Sequence, residues 1–200
     1  MLKKEKERKK KERERNPLTL QCRYGIICLK SEDTMNYWFT ADWHLGHDQI
    51  MRYERPEFGG ATEMAECLVQ LYNERVKPQD VCYFLGDMVW RKDAGDRYLP
   101  MLNGTKVFIP GNHDARYFGG HQYIEHFKGR TPRFYMSHLP LLTWPTQPYG
   151  EGHIHGHCHG HGPARPDALD VGVDPWDYKP VQYETIIEYF EKMKKTLDIG

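Results

Sequence analysis

The sequence of 200 residues predicts a mixed α/β domain in which layers of sheet are covered by helices. Three observations predict it. Short apolar or β-branched runs alternate with polar loops along most of the chain, and two longer stretches repeat apolar residues at helical spacing. Four strand-like runs also end directly in Asp, Asn or His. Ligands in open α/β sheets collect beyond the carboxyl ends of strands, so that placement is itself a sign of the architecture.

The elements follow in chain order. Residues 1–15 are almost entirely Lys, Arg and Glu and have no apolar face to bury, so they read as a solvated tail. Cys22–Leu29 is a candidate short strand. The folded domain is expected to begin at Met35, with 1–34 as a basic, flexible extension, 35–200 as the domain, and Met35 as an alternative start. Tyr37–Thr40 is an aromatic and β-branched strand. Ala61–Val76 is an amphipathic helix with Met64, Leu68, Leu71 and Tyr72 on one face. Val81–Leu85 is a buried strand. Lys106–Ile109 follows an Asn-Gly turn at Asn103–Gly104, and Arg133–Met136 is a fourth strand. Residues 140–152 form an ordered surface loop, and Ala168–Val173 is a later strand. Tyr183–Leu197 closes the chain as a helix with Tyr183, Ile186, Ile187, Phe190 and Met193 inward.

Composition removes several classes. Hydrophobic residues make up 39% and charged residues 28%, which suits a packed domain. No apolar run is long enough to cross a bilayer and no signal core precedes the domain, so a cytoplasmic location without membrane contact is expected. Five cysteines, with no paired spacing, read as free thiols. Residues 1–34 hold 11 Lys and Arg against 6 Asp and Glu, leaving 17 against 22 in the rest. An acidic core does not attract a long polyanion. Nucleic-acid binding therefore falls to the basic tail and is the less favoured reading. Histidine is the outlier at 11, five of them between His153 and His161.

The chemistry sits at the strand ends. Tyr37–Thr40 runs into Asp42 and His44, and Val81–Leu85 into Gly86 and Asp87. Lys106–Ile109 runs into Gly111, Asn112, His113 and Asp114, and Arg133–Met136 into His138. His157 and His159 lie in the histidine-rich loop. A core has no use for so many unpaired polar groups. Residues two apart on extended chain face one side, so Asp42 with His44, and His157 with His159, can each serve one cluster. Imidazole with carboxylate suits Mn, Fe, Zn, Ni or Co. Two such ions carry more charge than Asp42 and Asp87 offset, which leaves a site that attracts phosphate.

The ordered blocks D-x-H, G-D, G-N-H-D, H and G-H-x-H resemble the calcineurin-like metallophosphoesterases, and most closely the small single-domain bacterial and phage members. The resemblance spans Tyr37 to His159. It implies a two-layer β-sandwich flanked by helices (αββα). It implies one divalent ion on Asp42, His44 and His159, a second on Asn112, His138 and His157, and Asp87 bridging them, with manganese favoured. It further implies hydrolysis of phosphodiesters or phosphomonoesters by a metal-bridging hydroxide. The substrate would be a small, nucleotide-like phosphoester. His113 would support the phosphoryl oxygen or leaving group, and Asp114 would orient His113.

Other residues have a bland reading beside the functional one. His47 and Arg52 are candidate substrate contacts. Arg55 is another, although a solvated arginine is commoner. His153, His155 and His161 read as solvated loop histidines, with His155 open to a supporting role, and the cluster could alternatively be a metal-storage tract. Asp170 and Asp174 read as structural. Trp43, Trp90 and Trp144 are candidates to frame a pocket mouth and stack on a base, but packing is the better reading for all three. A non-catalytic scaffold on the same fold is the alternative function, and the complete set of ligand positions argues against it. Oligomeric state, native substrate and native metal do not follow from the sequence.

Overall fold

The computed structural model describes residues 34–119 and 124–197. The basic tail and the candidate strand at Cys22–Leu29 lie outside the described residues. From Tyr37 onward the chain builds two four-stranded sheets flanked by helices.

The first sheet contains β1 (Tyr37–Thr40), β2 (Val81–Leu85), β3 (Thr105–Ile109) and β8 (Val181–Gln182). Its order is β3-β2-β1-β8, with the first three parallel and β8 antiparallel to β1. The second contains β4 (Glu125–Phe127), β5 (Phe134–Met136), β6 (Gly152–His155) and β7 (Ala168–Asp170) in that order. There β5, β6 and β7 are parallel and β4 is antiparallel to β5.

Strand alternation sorts the two cores. Trp38, Cys82 and Phe84 face a helical layer and join Met64, Leu68 and Tyr72. These come from the helix α2 (Ala61–Arg75), which follows a single turn, α1 (Ile50–Tyr53). Its ridge at i, i+4 and i+8 buries Met64, Leu68 and Tyr72 completely, while Leu71 stays half-buried. Two further helices, α3 (Lys92–Tyr98) and the short α4 (Ala115–Phe118), add Ala94, Tyr98, Tyr117 and Phe118 to the same core. Phe39 and Leu85 point the other way, into the core between the sheets, where they meet Phe127, Phe134, Met136 and Ile154. Burying each such side chain contributes about 1.5–3 kcal/mol. The last helix, α5 (Tyr183–Leu197), adds Tyr183, Ile186 and Phe190 to this second core.

Predicted and observed elements agree closely at β1, β2, α2 and α5. The structure also contains elements that the periodicity did not reveal. Most notable is β6, where a histidine-rich loop was expected. All four residues of β6 are buried. The expectation of solvated histidines at His153 and His155 is thereby corrected, because they are 0% and 7% exposed. The His153 ring is satisfied internally. Its Nδ1 lies 3.2 Å from the Tyr135 carbonyl, and the Leu141 amide donates to its Nε2 at 3.2 Å. A sequence window cannot show such partners.

The two sheets meet where the site forms. A parallel bridge pairs Ala41, just past β1, with Gly172, just past β7. The carboxyl ends of both parallel strand sets therefore open onto one place.

Candidate metal centre

Each chemical residue follows the end of a strand. Past β1 the chain turns through Asp42 and His44, with amides donating to the carbonyls of Gly86 and Asp87 at 3.0 and 2.9 Å. Past β2 comes Asp87, past β3 Asn112 and His113, past β5 His138, and past β6 His157 and His159.

The backbone here is unusual. Seven non-glycine residues among those described have positive φ, and five are Asp42, His44, Asp87, His157 and His159. That region disfavours ordinary side chains and costs roughly 1–3 kcal/mol per residue. The cost is tolerated because hydrogen bonds over-determine each turn. The His157 amide donates to both Asp42 carboxylate oxygens, at 3.0 and 2.8 Å. The His113 amide donates to Asp87 Oδ1 at 2.9 Å.

Glycines permit the close approach. Gly86 has φ +89°, and a Cβ there would strike the His138 ring. A Cβ on Gly111 would overlap the Asp87 carboxylate, and one on Gly172 would sit 2.6 Å from Asp42 Oδ2.

The side chains gather into two groups able to hold a metal ion: Asp42, His44 and His159, and Asp87, His138 and His157. Within each, the potential ligand atoms lie within 4.8 Å of one another. Asp87 reaches toward both, with Oδ2 3.9 Å from His44 Nε2 and 3.4 Å from His138 Nε2. Asn112 joins the second group, its Oδ1 2.9 Å from His138 Nε2. The donor set is imidazole nitrogen and carboxylate or amide oxygen without thiolate, which fits a borderline divalent cation.

Partners of the outer ring nitrogens favour the same use. His138 Nδ1 lies 2.9 Å from the Leu85 carbonyl and His159 Nδ1 lies 2.7 Å from Asp174 Oδ2. The Asp174 carboxylate accepts from His159 Nδ1 and so turns the Nε2 lone pair inward, while the Leu85 carbonyl accepts from His138 Nδ1, whose Nε2 faces Asn112 Oδ1 and the Asp87 carboxylate.

Electrostatics divides the two carboxylates. Burial pushes the Asp42 carboxyl up to about 7, despite the opposing pull of His138, His159 and the His157 amide. Burial also raises Asp87, but the His138 hydrogen bond and charge, the His113 amide and His44 outweigh it and hold Asp87 at about 2. Burial drives His44 well below the ordinary imidazole value and also lowers His157. It lowers His138 and His159 too, but Asp87 and Asp174 respectively more than compensate, so both end raised.

The remaining candidates divide. His113 sits at the rim, its side chain 40% exposed and its Nε2 3.7 Å from Asp87 Oδ2. His47 stacks on Trp90 with ring centres 3.8 Å apart, and Trp90 lies 4.7 Å from the His113 ring. The packing expectation for Trp90 is thus corrected, since it is 42% exposed beside the site, whereas Trp43 and Trp144 are buried. Arg52 is exposed on α1.

Two further expectations are corrected. Asp114 does not orient the His113 ring. Its buried carboxylate accepts from the Val89 and Gly111 amides, both at 2.9 Å, and so ties the loop after β3 to the loop after β2. Arg55 is neither solvated nor a phosphate partner. It is 0% exposed and bound to Asp174. Sequence spacing carried no signal for this pair, which is separated by 119 residues.

Fold and site together define a two-sheet α/β protein with two candidate metal sites at merged strand ends. The calcineurin-like phosphoesterase family model matches residues 35–194, and the chain belongs to that family. An uncharacterized protein of Methanocaldococcus jannaschii is 32% identical over 163 residues, covering 77% of this chain and 90% of that protein. The gene 66 protein of Mycobacterium phage D29 is 34% identical over 86 residues, 40% of each chain. Among solved structures, a protein of unknown function from Aquifex aeolicus superposes with a TM-score of 0.62 at 25% identity, covering 78% of this chain and 99% of that one.

Proposed function

We propose that the chain is a dinuclear phosphoesterase acting on small, nucleotide-like phosphodiesters or phosphomonoesters. One observation carries the reading: a single carboxylate oxygen, Asp87 Oδ2, lies within 4 Å of ring nitrogens from both ligand groups and from His113. On this reading Asp42, His44 and His159 hold one divalent ion, Asn112, His138 and His157 hold the other, and Asp87 is shared. Mn is the first ion to try, then Fe, Zn, Ni or Co. Such a pair would supply an acidified water and neutralise the phosphoryl oxygens of an in-line displacement.

The chain's own residues do the rest. Asp87 stays ionised across the useful pH range and offers two lone-pair faces. His113, exposed at the rim, presents its ring to the phosphoryl group and can donate to a charged oxygen or to the leaving group. The hydrogen bond donated by the His113 backbone amide to Asp87 Oδ1 fixes where that ring begins. Asp114 supports the reaction indirectly by holding the loops that carry Asp87 and His113. The exposed side of Trp90, braced by His47, gives a flat surface for a base or aryl group. Free thiols at Cys67, Cys82 and Cys158 suit a reducing compartment, and hence the cytoplasm.

The test is an assay of metal-stripped protein, reloaded with Mn2+, against bis-para-nitrophenyl phosphate and para-nitrophenyl phosphate, with Asp87→Ala and His113→Ala alongside. Metal-dependent nitrophenol release that Asp87→Ala loses and His113→Ala weakens supports the reading. Two bound ions with no turnover would turn the assignment toward a non-catalytic scaffold.

A further inference from the structure

We infer that Arg55 and Asp174 are a positioning pair for the centre formed by Asp42, His44 and His159, in which one buried guanidinium holds all three ligands in place. The inference rests on the metal-binding reading above.

A fully buried arginine is expensive unless every donor finds a partner. Here the partners are specific. Arg55 Nε and Nη2 grip Asp174 Oδ1 and Oδ2 at 2.7 and 2.9 Å, a bidentate fork. Nη1 donates to the Trp43 carbonyl at 3.1 Å and Nη2 to the Asp42 carbonyl at 2.5 Å. Those two carbonyls belong to the peptide units that join Asp42 to His44. Both ligands sit at positive φ, 60° and 52°, so the short segment between them is the strained part of the turn. Arg55 pins it from behind.

The same fork reaches the third ligand. Asp174 Oδ2 accepts the His159 Nδ1 proton at 2.7 Å. That bond fixes the ring tautomer and aims Nε2 inward, where it lies 3.3 Å from His44 Nε2. A carboxylate behind an imidazole also makes the ring a better donor to a cation. The other group is built differently, with His138 backed by the neutral Leu85 carbonyl. Loss of the pair should therefore affect one centre and spare the other.

The experiment titrates the metal-free full chain with Mn2+, by calorimetry and electron paramagnetic resonance. The native chain takes up two ions, and His159→Gln identifies which binding step belongs to its centre. Asp174→Asn is expected to weaken that step by about 10–100-fold and to leave the other within about twofold. Arg55→Lys keeps the charge but loses the fork, and should weaken the same step. Equal weakening of both steps, or of neither, overturns the inference, because a merely structural pair lowers the melting temperature without choosing between centres. A second measurement needs no folded Asp174 variant. In metal-free native protein labelled with 15N-histidine, the resonance absent from His159→Gln should report an Nδ1–H tautomer, and an Nε2–H tautomer overturns the inference. A native chain that binds no Mn2+ would instead sink the metal reading beneath it.

Discussion

The Nε2 atoms of His44 and His159 face each other 3.3 Å apart, although 115 residues separate them in the chain. Their rings are stacked at 16°. His159 has its proton committed to Asp174 through Nδ1, so its inward nitrogen carries a lone pair. Two imidazoles converging in this way, with the buried Asp42 carboxyl in the same group, form a donor set able to hold a cation.

Metal should accordingly stabilise the fold. With Mn2+ at about 1,000 times its dissociation constant, each site contributes about 4 kcal/mol. Thermal unfolding with and without a chelator measures this. An unchanged melting temperature after verified metal removal would count against both centres.

The metal affinity should fall as pH drops below 7. Burial holds Asp42 protonated up to about 7, and the raised His138 and His159 also keep protons longer than usual. A ligand must lose its proton to bind, so uptake releases protons and affinity drops about tenfold or more per pH unit in acid. Calorimetry in two buffers of different ionisation enthalpy reads the released protons directly.

Gly111→Ala should damage the site without changing any charge. Its Cβ would overlap Asp87 Oδ1 and the Asp87 backbone nitrogen. Backbone cannot step aside cheaply, so a cost of about 1–3 kcal/mol is expected, together with displacement of the shared carboxylate. Metal analysis of the purified variant should find fewer than two ions per chain. Two ions held at native affinity would show that the Asp87 carboxylate is not shared between the two groups.

Much of this was legible in the sequence, for a physical reason. The side chains grouped at the candidate metal sites are Asp, Asn and His that leave strands at the same end, so identity and position both mark them. Runs such as Val81–Leu85 are apolar because one face is fully buried and the other largely so, and a window of five residues shows that. What stayed hidden depends on partners distant in sequence. Arg55 reads as a surface cation until Asp174 is placed against it. His153 reads as a loop residue until the Tyr135 carbonyl and Leu141 amide close around it. Asp114 is next to His113 in the chain, yet its carboxylate serves backbone amides instead.

His153 should make the metal-free fold sensitive to acid. Burial, with a smaller push from His155, lowers its pKa from 6.5 to about 4. The folded value lies below the unfolded one, so the folded state holds the neutral ring. Its contribution is complete above about pH 6.5 and is lost as pH falls through 4. The shift corresponds to about 3 kcal/mol. Urea unfolding at pH 7 and pH 4.5 should show a smaller acid loss in His153→Gln than in the native chain. Equal losses would mean that the ring accepts its proton without penalty.

His113→Ala should separate chemistry from metal binding. The ring stands at the rim, 40% exposed, 5.7 Å from the His44 ring and 4.7 Å from Trp90, and it belongs to neither ligand group. Its backbone amide, which bonds Asp87, survives the substitution. Two ions should therefore bind with native affinity. A positioned donor or acid contributes typically 10²–10⁴-fold, so kcat should fall by about that factor with KM little changed. The loss should be smaller for bis-para-nitrophenyl phosphate than for a diester with a poor alkoxide leaving group, because para-nitrophenolate departs without a proton. An equal loss on both substrates would assign His113 to the phosphoryl oxygen rather than the leaving group. Loss of an ion would instead make it a ligand.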